Sequence, residues 1–300
     1  MAFKRLTLGP LGIAVTANED AAGLHVSIGG ATWRDFARGI KERRARSRGT
    51  VAGANGAAPF EHADESLRQR IQDITWYHTI DLGGGLRTPG RFDHTPYLDQ
   101  YRLPESMQGL RVLDCAAFDG YWSFQFEKRG ASEVYALDLD NSSQLDWPPR
   151  HELTQEDREM KFGRGFELAR ERLGSKVKRV VCNLYDLKPE LYGQFDVVHS
   201  GDVLLHINSP VKALQNMASV CRGYALISDV YFPELDLMGG GMLCEYRGFR
   251  DNTWWRMSLA ALETMILDAG FARVELLNKF EYGYSDGSGR WHHAVFKAYK

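Results

Sequence analysis

The 300-residue sequence has few cysteines, no long apolar run and almost no excess of charge. Its four cysteines (Cys115, Cys182, Cys221 and Cys244) lack the spacing of a disulfide framework, which favours buried free thiols in a reducing compartment. No window approaches the roughly 18 apolar residues of a membrane span. A net charge of −2 removes any bulk attraction to nucleic acid or to an anionic membrane.

Metal-binding motifs are also missing. The sequence contains no H-x-x-H, C-x-x-C or H-E-x-x-H spacing, so we expect no catalytic metal. The first residues resemble a signal peptide, but Thr7, Gly9, Pro10 and Gly12 interrupt the apolar stretch. With an apolar fraction of 44 % and a mean hydropathy of −0.37, we expect a cytoplasmic protein with an ample core.

The chain divides by composition at about residue 60. Residues 1–60 predict an N-terminal extension of small strands, followed by a basic helix (33–48) and a small-residue linker (50–59). The basic helix fits a solvated or oligomer-contact face better than a phosphate-binding one, so a homo-oligomer is compatible with the sequence. Residues 61–300 predict the main domain, which begins with a helix at 63–77.

From residue 111 onward, strand-like and helix-like patterns alternate. This order predicts an α/β fold with a Rossmann-like, doubly wound, mostly parallel seven-stranded sheet. The turn-rich connection before the last strand predicts an antiparallel C-terminal hairpin. The strand candidates are 111–115, 133–140, 178–183, 195–200, 224–230, 273–279 and 291–299, and the helix candidates are 121–130, 166–174, 210–220 and 258–269.

The turn that follows the first of these strands, VLDCAAFDGYWSF (112–124), has one glycine where dinucleotide folds have three. Ala116 and Phe118 occupy glycine positions, and Phe118 would obstruct a pyrophosphate. Asp114 and Asp119 would repel it. Asp138, at the end of the second strand, can accept hydrogen bonds from ribose hydroxyls, although a turn or cap role is the alternative. The turn therefore favours a nucleoside ligand that is cationic and free of phosphate.

These residues resemble motif I of class I S-adenosylmethionine (SAM)-dependent methyltransferases, and LDLD (137–140) resembles motif II. More narrowly, WYHTIDL…TPGRFD (76–93), DGYWSF (119–124), FDVVHSGDVLLHINSP (195–210) and NTWW…LETMILDAGF (252–271) resemble the branch of tRNA wobble-uridine carboxymethyltransferases. The resemblance covers roughly residues 70–300. It implies SAM as the cofactor and a methyl transfer as the reaction.

The resemblance implies a set of cofactor-binding residues. Asp138 and Leu139 would hold the ribose, the segment after the third strand would contact adenine, and the fourth strand would border the methionine. The full expected set is Trp76, His78, Asp114, Ala116, Phe118, Gly120, Asp138, Leu139, Asn183, Leu184, Tyr185, Asp186 and Ser200. The tRNA family has Tyr and Lys where this chain has Leu205 and His78. That difference favours ordinary SAM over a carboxylated SAM, because a buried unpaired carboxylate is costly.

Two residues are candidates for a general base, which is needed when the acceptor must lose a proton. His206 comes first, because its unperturbed pKa suits proton removal near neutrality. Asp202 is the second, as the base or as the residue that orients His206 if the segment is helical. Packing and loop capping is the alternative role for His206. His199 fits a structural or a cofactor-side role. His292 and His293 alternate along a strand, so at most one of them reaches a site.

Two segments, 76–93 and 231–257, are candidate lids. Trp76, Tyr77 and His78 would lie over the cofactor, whose sulfonium favours aromatic faces; packing on the sheet is the alternative. The later segment shows no periodicity. Large side chains in it (Tyr246, Arg250, Trp254 and Trp255), together with Tyr77, are the candidate substrate-binding residues, with burial in the core as the alternative for the tryptophans.

Three functions are compatible with the sequence. The first is a SAM-dependent methyltransferase that acts on an oxygen or nitrogen of a small molecule. The second is a tRNA-modifying enzyme, which the family resemblance and the basic helix favour. The third is a SAM-binding protein without catalysis, which the altered turn allows. The neutral surface favours the small-molecule substrate over nucleic acid as the partner.

Overall fold

A computed structural model describes residues 4–8, 13–17, 24–28, 65–238, 241–250 and 253–300. The predicted basic helix (33–48) and linker (50–59) lie outside the described residues. The chain divides into two units, and the first contains three short strands that form an antiparallel sheet of order β1-β2-β3. Within the described residues, no helix combines the length and apolar character that crossing a membrane requires.

The structure contains strands and helices with the following bounds. The strands are β1 (Lys4–Leu8), β2 (Ile13–Ala17), β3 (Leu24–Ile28), β4 (Arg111–Cys115), β5 (Glu133–Asp138), β6 (Lys178–Val181), β7 (Phe195–Gly201), β8 (Cys221–Tyr231), β9 (Cys244–Arg250), β10 (Thr253–Met257), β11 (Arg273–Gly283) and β12 (Arg290–Tyr299). The helices are α1 (Glu65–Gln72), α2 (Tyr121–Lys128), α3 (Gln155–Glu159), α4 (Arg164–Leu173), α5 (Pro189–Tyr192), α6 (Pro210–Val220), α7 (Pro233–Asp236) and α8 (Leu259–Asp268).

The main sheet has seven strands in the order β11-β12-β8-β7-β4-β5-β6. The five strands from β8 to β6 are parallel, whereas β12 runs antiparallel to both β8 and β11. This architecture confirms the predicted fold, including the antiparallel C-terminal hairpin. From β4 the chain continues to β5 and β6 on one side of the sheet, and from β7 it continues to β8 on the other side. The strand order therefore reverses between β4 and β7, and ligands bind in such sheets in the crevice beyond the carboxyl ends of these two strands, the switch point.

Both faces of the sheet are covered. On β4, Val112 packs in one apolar cluster and Leu113 in the other, because successive side chains point to opposite faces. The same alternation separates Val197 from Val198 on β7. Each fully buried aliphatic side chain contributes about 1.5–3 kcal/mol relative to exposure. These two clusters fix the strands whose ends build the site.

Several predicted elements have the bounds that the sequence indicates, and one region differs. Strand β4 and helix α6 coincide with their predictions, whereas α1 ends at Gln72, five residues before the predicted end. The non-periodic segment before residue 257 contains a two-stranded sheet of β9 and β10, which the sequence analysis missed. The four cysteines are free thiols, but Cys244 is exposed rather than buried.

Candidate functional site at the carboxyl ends of the strands

The turn between β4 and α2 has the backbone of a glycine-rich loop with other residues in it. Ala116 (φ +56°), Phe118 (φ +49°) and Gly120 (φ +87°) all adopt the left-handed conformation. These are the three positions at which the related motif has glycine. A non-glycine residue pays roughly 1–2 kcal/mol for this conformation. The turn therefore keeps its shape at an energetic cost, and it carries a side chain where the glycine form has none.

Local hydrogen bonds and packing hold that turn. The backbone N–H of Ala117 donates to the carbonyl of Leu137 on β5 at 3.0 Å, and the N–H of Gly120 donates to the carbonyl of Ala117 at 2.8 Å. A Cβ atom on Gly120 would lie 2.5 Å from the ring of Phe166. Packing as well as the positive φ therefore requires glycine at position 120, whereas positions 116 and 118 share the positive φ but carry side chains.

Asp138 ends β5 beside this turn and is 9 % exposed. One carboxylate oxygen accepts the N–H of Phe118 at 2.5 Å, and the other accepts the N–H of Leu139 at 2.6 Å. Burial raises the pKa of Asp138 to about 6, against the lowering effect of these two hydrogen bonds. Because a carboxylate oxygen can accept two hydrogen bonds, each one retains an acceptor position for a ligand.

Asp114, by contrast, is turned into the protein. Its carboxylate accepts a hydrogen bond from the hydroxyl of Ser123 at 2.6 Å and lies 2.8 Å from Nδ1 of His199. Both Asp114 and His199 are almost fully buried. The structural role that the sequence predicts for His199 fits this pairing. Asp114 braces β4, β7 and α2 beneath the turn.

Residues 76–93 form a strap that the turn anchors. The carboxylate of Asp119 accepts the N–H groups of Tyr77 at 2.9 Å and His78 at 2.8 Å, and its second oxygen contacts Nδ1 of His78. Gly90 passes so close that a Cβ atom there would lie 2.0 Å from the carbonyl carbon of His78. Asp119 thus holds the strap to the turn, and the two arms of the strap pack against each other at Gly90 and His78.

Aromatic rings line the strap where it faces the turn. The ring of Phe118 lies 5.5 Å from that of Tyr77 and 5.6 Å from that of Phe162. Tyr77 is half-buried, and its pKa is raised by burial and then by the charge of Asp202. Trp76 is buried, with its indole N–H donating to the carbonyl of Ile71 at 2.9 Å. Tyr77 therefore contacts the turn through Phe118 and lies within electrostatic range of Asp202 after β7.

The segment after β6 forms a compact turn. The side-chain oxygen of Asn183 accepts the N–H of Tyr185 at 3.0 Å, and Asn216 of α6 donates to the carbonyls of Leu184 and Tyr185 at 2.8 Å each. Leu184 is buried, whereas Asp186 is exposed. The predicted adenine-contacting residues thus lie in a rigid turn beyond β6, two strands from β4.

The end of β7 carries a chain of polar groups. Ser200 is fully buried, and its hydroxyl has no hydrogen-bond partner within the described part of the chain. Asp202 follows in the left-handed conformation (φ +52°), with its Oδ1 3.3 Å from Nε2 of His293 on β12. His206 ends a 3-10 turn (Leu204–His206) and is half-buried. The α-helical turn that would place Asp202 and His206 on one face is absent.

A buried carboxylate supports this turn from below. Asp229 on β8 accepts the N–H groups of Val203 at 3.1 Å and Leu204 at 2.8 Å, and its other oxygen accepts the N–H of Val230. Burial and then the charge of Asp202 raise the pKa of Asp229 to about 8. Asp229 is a site residue that sequence reasoning missed, because it lies in the middle of a strand pattern.

His94 is a second residue that the sequence analysis missed. It is buried, with Nδ1 2.9 Å from the hydroxyl of Tyr101 and its ring 5.1 Å from that of His78. Burial, followed by the charges of His78, His293 and His199, lowers the pKa of His94. No local pattern marks a single histidine in a loop, so the sequence held no signal for it.

The hairpin of β9 and β10 packs on the loops after β5 and β7. The indole N–H of Trp254 donates to the carbonyl of Asp146 at 2.9 Å, and that of Trp255 donates to the carbonyl of Asn208 at 3.2 Å. Trp254 is buried, Tyr246 is 59 % exposed, and Arg250 is exposed at the end of β9. Among the candidate substrate-binding residues of the hairpin, Tyr246 and Trp255 keep accessible ring surface, whereas Trp254 anchors the hairpin.

Among the residues that the structure describes, no group of three or more His, Cys, Asp or Glu side chains is arranged to hold a metal ion. The chemistry available at the strand ends is that of carboxylates, imidazoles and hydroxyls. Asp138 provides hydrogen-bond acceptors beside the turn, where the rings of Phe118 and Tyr77 also lie. Asp202 and His293 lie on the other side of the switch point, after β7.

Comparisons with known proteins bear on the family and the fold of the chain. The family model described as a methyltransferase domain matches residues 94–276. No curated protein is similar enough in sequence to count as a match. The N-terminal domain of EvdMO1, crystallised in the presence of SAH and D-fucose, is 18 % identical, with 81 % of this chain and 100 % of that chain covered and a TM-score of 0.55.

Two further structures have the same fold. The N-terminal domain of EvdMO1 with SAH bound is 19 % identical, with 81 % of this chain and 99 % of that chain covered and a TM-score of 0.55. EvdMO1 itself is 17 % identical, with 82 % of this chain and 49 % of that chain covered and a TM-score of 0.51. At these identities the likeness concerns the fold.

Proposed function

The chain belongs to the family of methyltransferase domains, and on that basis we propose that it transfers the methyl group of SAM to an oxygen or nitrogen atom of a small molecule. The observation that carries this proposal is the turn between β4 and α2. It has three left-handed residues at the glycine positions of motif I, and it donates the Phe118 N–H to Asp138. A backbone that maintains this shape without glycine is retaining a ligand-binding form at a cost in stability.

The residues at the turn fit the chemistry of SAM. Asp138 has one acceptor position left on each oxygen, which matches the two hydroxyls of a ribose. Phe118 and Tyr77 present aromatic faces, which attract a sulfonium by roughly 0.5–2 kcal/mol. The orphaned hydroxyl of Ser200 supplies a hydrogen bond for the amino-acid end. Asp138, Phe118, Tyr77 and Ser200 would therefore hold the cofactor.

When bound, SAM supplies an activated methyl group whose transfer leaves a neutral sulfide. The protein's task is then to align the acceptor with the methyl group and to exclude water. The strap, which Asp119 holds to the turn, and the β9–β10 hairpin, which Trp254 holds to the loop after β5, are the elements that would cover the bound cofactor and acceptor. His206 and Asp202, both in the segment after β7, are the candidates to remove a proton from the acceptor.

The surroundings of His78 help to decide whether the methyl donor is ordinary SAM or a carboxylated SAM. The resemblance to the tRNA wobble-uridine enzymes implies that their lysine at this position helps to hold the extra carboxylate of a carboxylated SAM. Here the His78 ring is buried and committed to Asp119, and Leu205 is buried and apolar. Neither supplies a cationic partner for a second carboxylate, and leaving that carboxylate unpaired would cost several kcal/mol. This supports ordinary SAM as the donor.

Charge pairing on the hairpin supports a small acceptor rather than RNA. Arg256 is bound to both Glu245 and Glu234, and Arg247 pairs with Glu245 at 2.9 Å. An RNA-binding surface needs unpaired cations to neutralise phosphates. Exposed ring surface on Tyr246 suits instead an acceptor with an apolar or aromatic part.

Calorimetric titration of SAM into the purified protein tests the cofactor assignment. We expect saturable binding that Asp138→Asn weakens at least about tenfold, since two acceptor positions face the ribose. Asp140→Asn is the matched control, because that carboxylate is 61 % exposed two residues further on. Equal affinities for the two variants would remove Asp138 from the site, and the absence of any SAM binding would reject the function.

Incubation with methyl-labelled SAM and a fractionated cell extract tests the acceptor class. We expect the label in small molecules and a stoichiometric release of S-adenosylhomocysteine. Label in RNA, accompanied by salt-sensitive tRNA binding, would favour the tRNA-modifying alternative. Saturable SAM binding without labelling of any fraction would favour a protein that binds SAM without catalysis.

A further inference from the structure

The surroundings of His293 favour its charged form. Nδ1 of His293 lies 3.1 Å from the backbone carbonyl of Trp291, and Nε2 lies 3.3 Å from Oδ1 of Asp202. A carbonyl oxygen accepts hydrogen bonds and cannot donate, so Nδ1 carries a hydrogen. The Asp202 carboxylate lies within ion-pair distance of Nε2 and favours a second proton on that nitrogen. With both protons the ring is an imidazolium.

This imidazolium lies in a buried acidic cluster. Behind Asp202 lies Asp229, whose carboxylate accepts three backbone N–H groups and is fully buried. The other neighbours of His293 are neutral or of like charge: the ring of Tyr282 at 5.4 Å and, electrostatically, His94. Burial lowers the pKa of His293, but Asp202, then the carbonyl of Trp291 and then Asp229 outweigh it, and the pKa is raised.

The exposure of the pair shows which member meets a ligand. The His293 side chain is 2 % exposed and that of Asp202 is 17 % exposed. Asp202 also stands within electrostatic range of Tyr77, the strap residue that borders the turn. Asp202 thus faces the cleft and His293 stands behind it.

We propose that His293 is a positioning residue of the methyl transfer, which holds the Asp202 carboxylate ionised and oriented toward the methyl acceptor. This inference rests on the proposed function. Asp202 takes the proton that the acceptor's oxygen or nitrogen loses as that atom bonds to the methyl carbon. The electrons of the broken methyl–sulfur bond stay on sulfur, and Asp202 afterwards passes its proton to water.

The reason that a positioning residue is needed is the second carboxylate. Two carboxylates in one buried site do not both ionise readily, and one of them retains a proton. The raised pKa of Asp229, about 8, makes Asp229 the carboxyl that keeps the proton near neutrality. A charged His293 beside Asp202 favours this distribution, because it stabilises the negative form of the carboxylate that it contacts. A neutral residue in place of His293 would remove that preference.

Nuclear magnetic resonance of the histidine rings in the protein without ligands tests the charge on His293. His292 is the internal reference, because it lies on the same strand with its side chain 45 % exposed. We expect His293 to stay protonated to a pH at least about one unit above His292, and Asp202→Asn to remove that difference. Titration of both rings at one pH, or no effect of Asp202→Asn, would overturn the proposal.

Kinetics with the acceptor found by methyl labelling give the functional readout. His293→Gln should lower kcat at least about tenfold and move the acidic limb of the pH–rate profile to higher pH, with KM and SAM affinity little changed. His292→Gln should leave all of these values unchanged. A His293→Gln profile of unaltered shape would contradict the inference even where kcat falls. Failure of SAM binding in the wild-type protein would instead reject the proposed function, whatever the ring titration shows.

Discussion

Asp119 and His78 join the turn after β4 to the strap. The Asp119 carboxylate accepts the backbone N–H of His78 at 2.8 Å and contacts its ring, and both side chains are almost fully buried. Asp119 thus uses its carboxylate to hold the strap to the turn. The turn and the strap therefore form one structural unit, and the predictions below concern how that unit responds to substitution.

Replacing Asp119 by asparagine should loosen the strap. One Asp119 oxygen accepts both backbone N–H groups and the other contacts Nδ1 of His78. An amide keeps only one acceptor oxygen, so either the two N–H groups or the His78 ring loses its partner, at about 1–3 kcal/mol for each buried group. We expect a lower free energy of unfolding in urea and weaker SAM binding. Asp81→Asn is the control, since that exposed aspartate lies in the same strap. Equal effects of the two substitutions would show that Asp119 does not hold the strap.

Gly90→Ala should be among the most damaging single methyl additions in the chain. The new Cβ would lie 2.0 Å from the carbonyl carbon of His78, so the two arms of the strap must separate, at about 3 kcal/mol or more. Gly85→Ala is the comparison, because its φ is +76° and no atom lies within 4 Å. That variant should lose about 1 kcal/mol from backbone strain. Thermal unfolding of both proteins measures the difference.

Ala116→Gly and Ala117→Gly should have opposite effects on stability. Ala116 has a positive φ, so glycine relieves backbone strain of roughly 1–2 kcal/mol. Against this gain, the more flexible glycine stabilises the unfolded chain by about 0.4–1 kcal/mol. We expect a slightly more stable protein. Ala117 is buried without a positive φ, and its replacement should cost about 1 kcal/mol. Urea denaturation checks both, and a destabilised Ala116→Gly protein would refute the strain argument.

SAM binding should weaken as the pH falls through about 6. Burial raises the pKa of Asp138 to about 6, so the free protein carries the ionised group above that pH and the protonated group below it. A protonated carboxyl has given up acceptor capacity that the ribose needs. Between about pH 7.5 and about pH 5 we expect roughly tenfold weaker binding by calorimetry. The Asp138→Asn protein should lack this dependence, and Asp140→Asn should retain it.

Elements with a simple repeating pattern were predictable from the sequence. Strand β4 and helix α6 were predicted with their observed bounds, because an apolar run between polar residues and a proline at a helix start are local signals. The β9–β10 hairpin was missed. Its aromatic and charged residues alternate weakly, and its stability comes from contacts such as Trp254 with Asp146, which lie more than a hundred residues apart.

The candidate site was likewise predictable from the sequence only in part. Asp138, Phe118 and Asp202 were expected at the strand ends, because strand order alone brings those ends together. The partners of these residues depend on side-chain packing between distant segments. Asp229 and His94 have no local motif, and the pairing of Asp202 with His293 joins the fourth parallel strand of the chain to its last antiparallel one. The sequence analysis predicted that at most one of His292 and His293 reaches a site, and their opposite exposures agree with that.

The order of the sheet has a consequence for folding. Strand β12 is inserted between β8 and β11, so within the seven-stranded sheet β11 pairs with β12 alone. A ribosome makes β11 first, and this strand therefore has no place in the sheet until β12 has been synthesised. The contact of Asp202 with His293 on β12 cannot form earlier either, so that pairing and completion of the sheet both wait for the last strand.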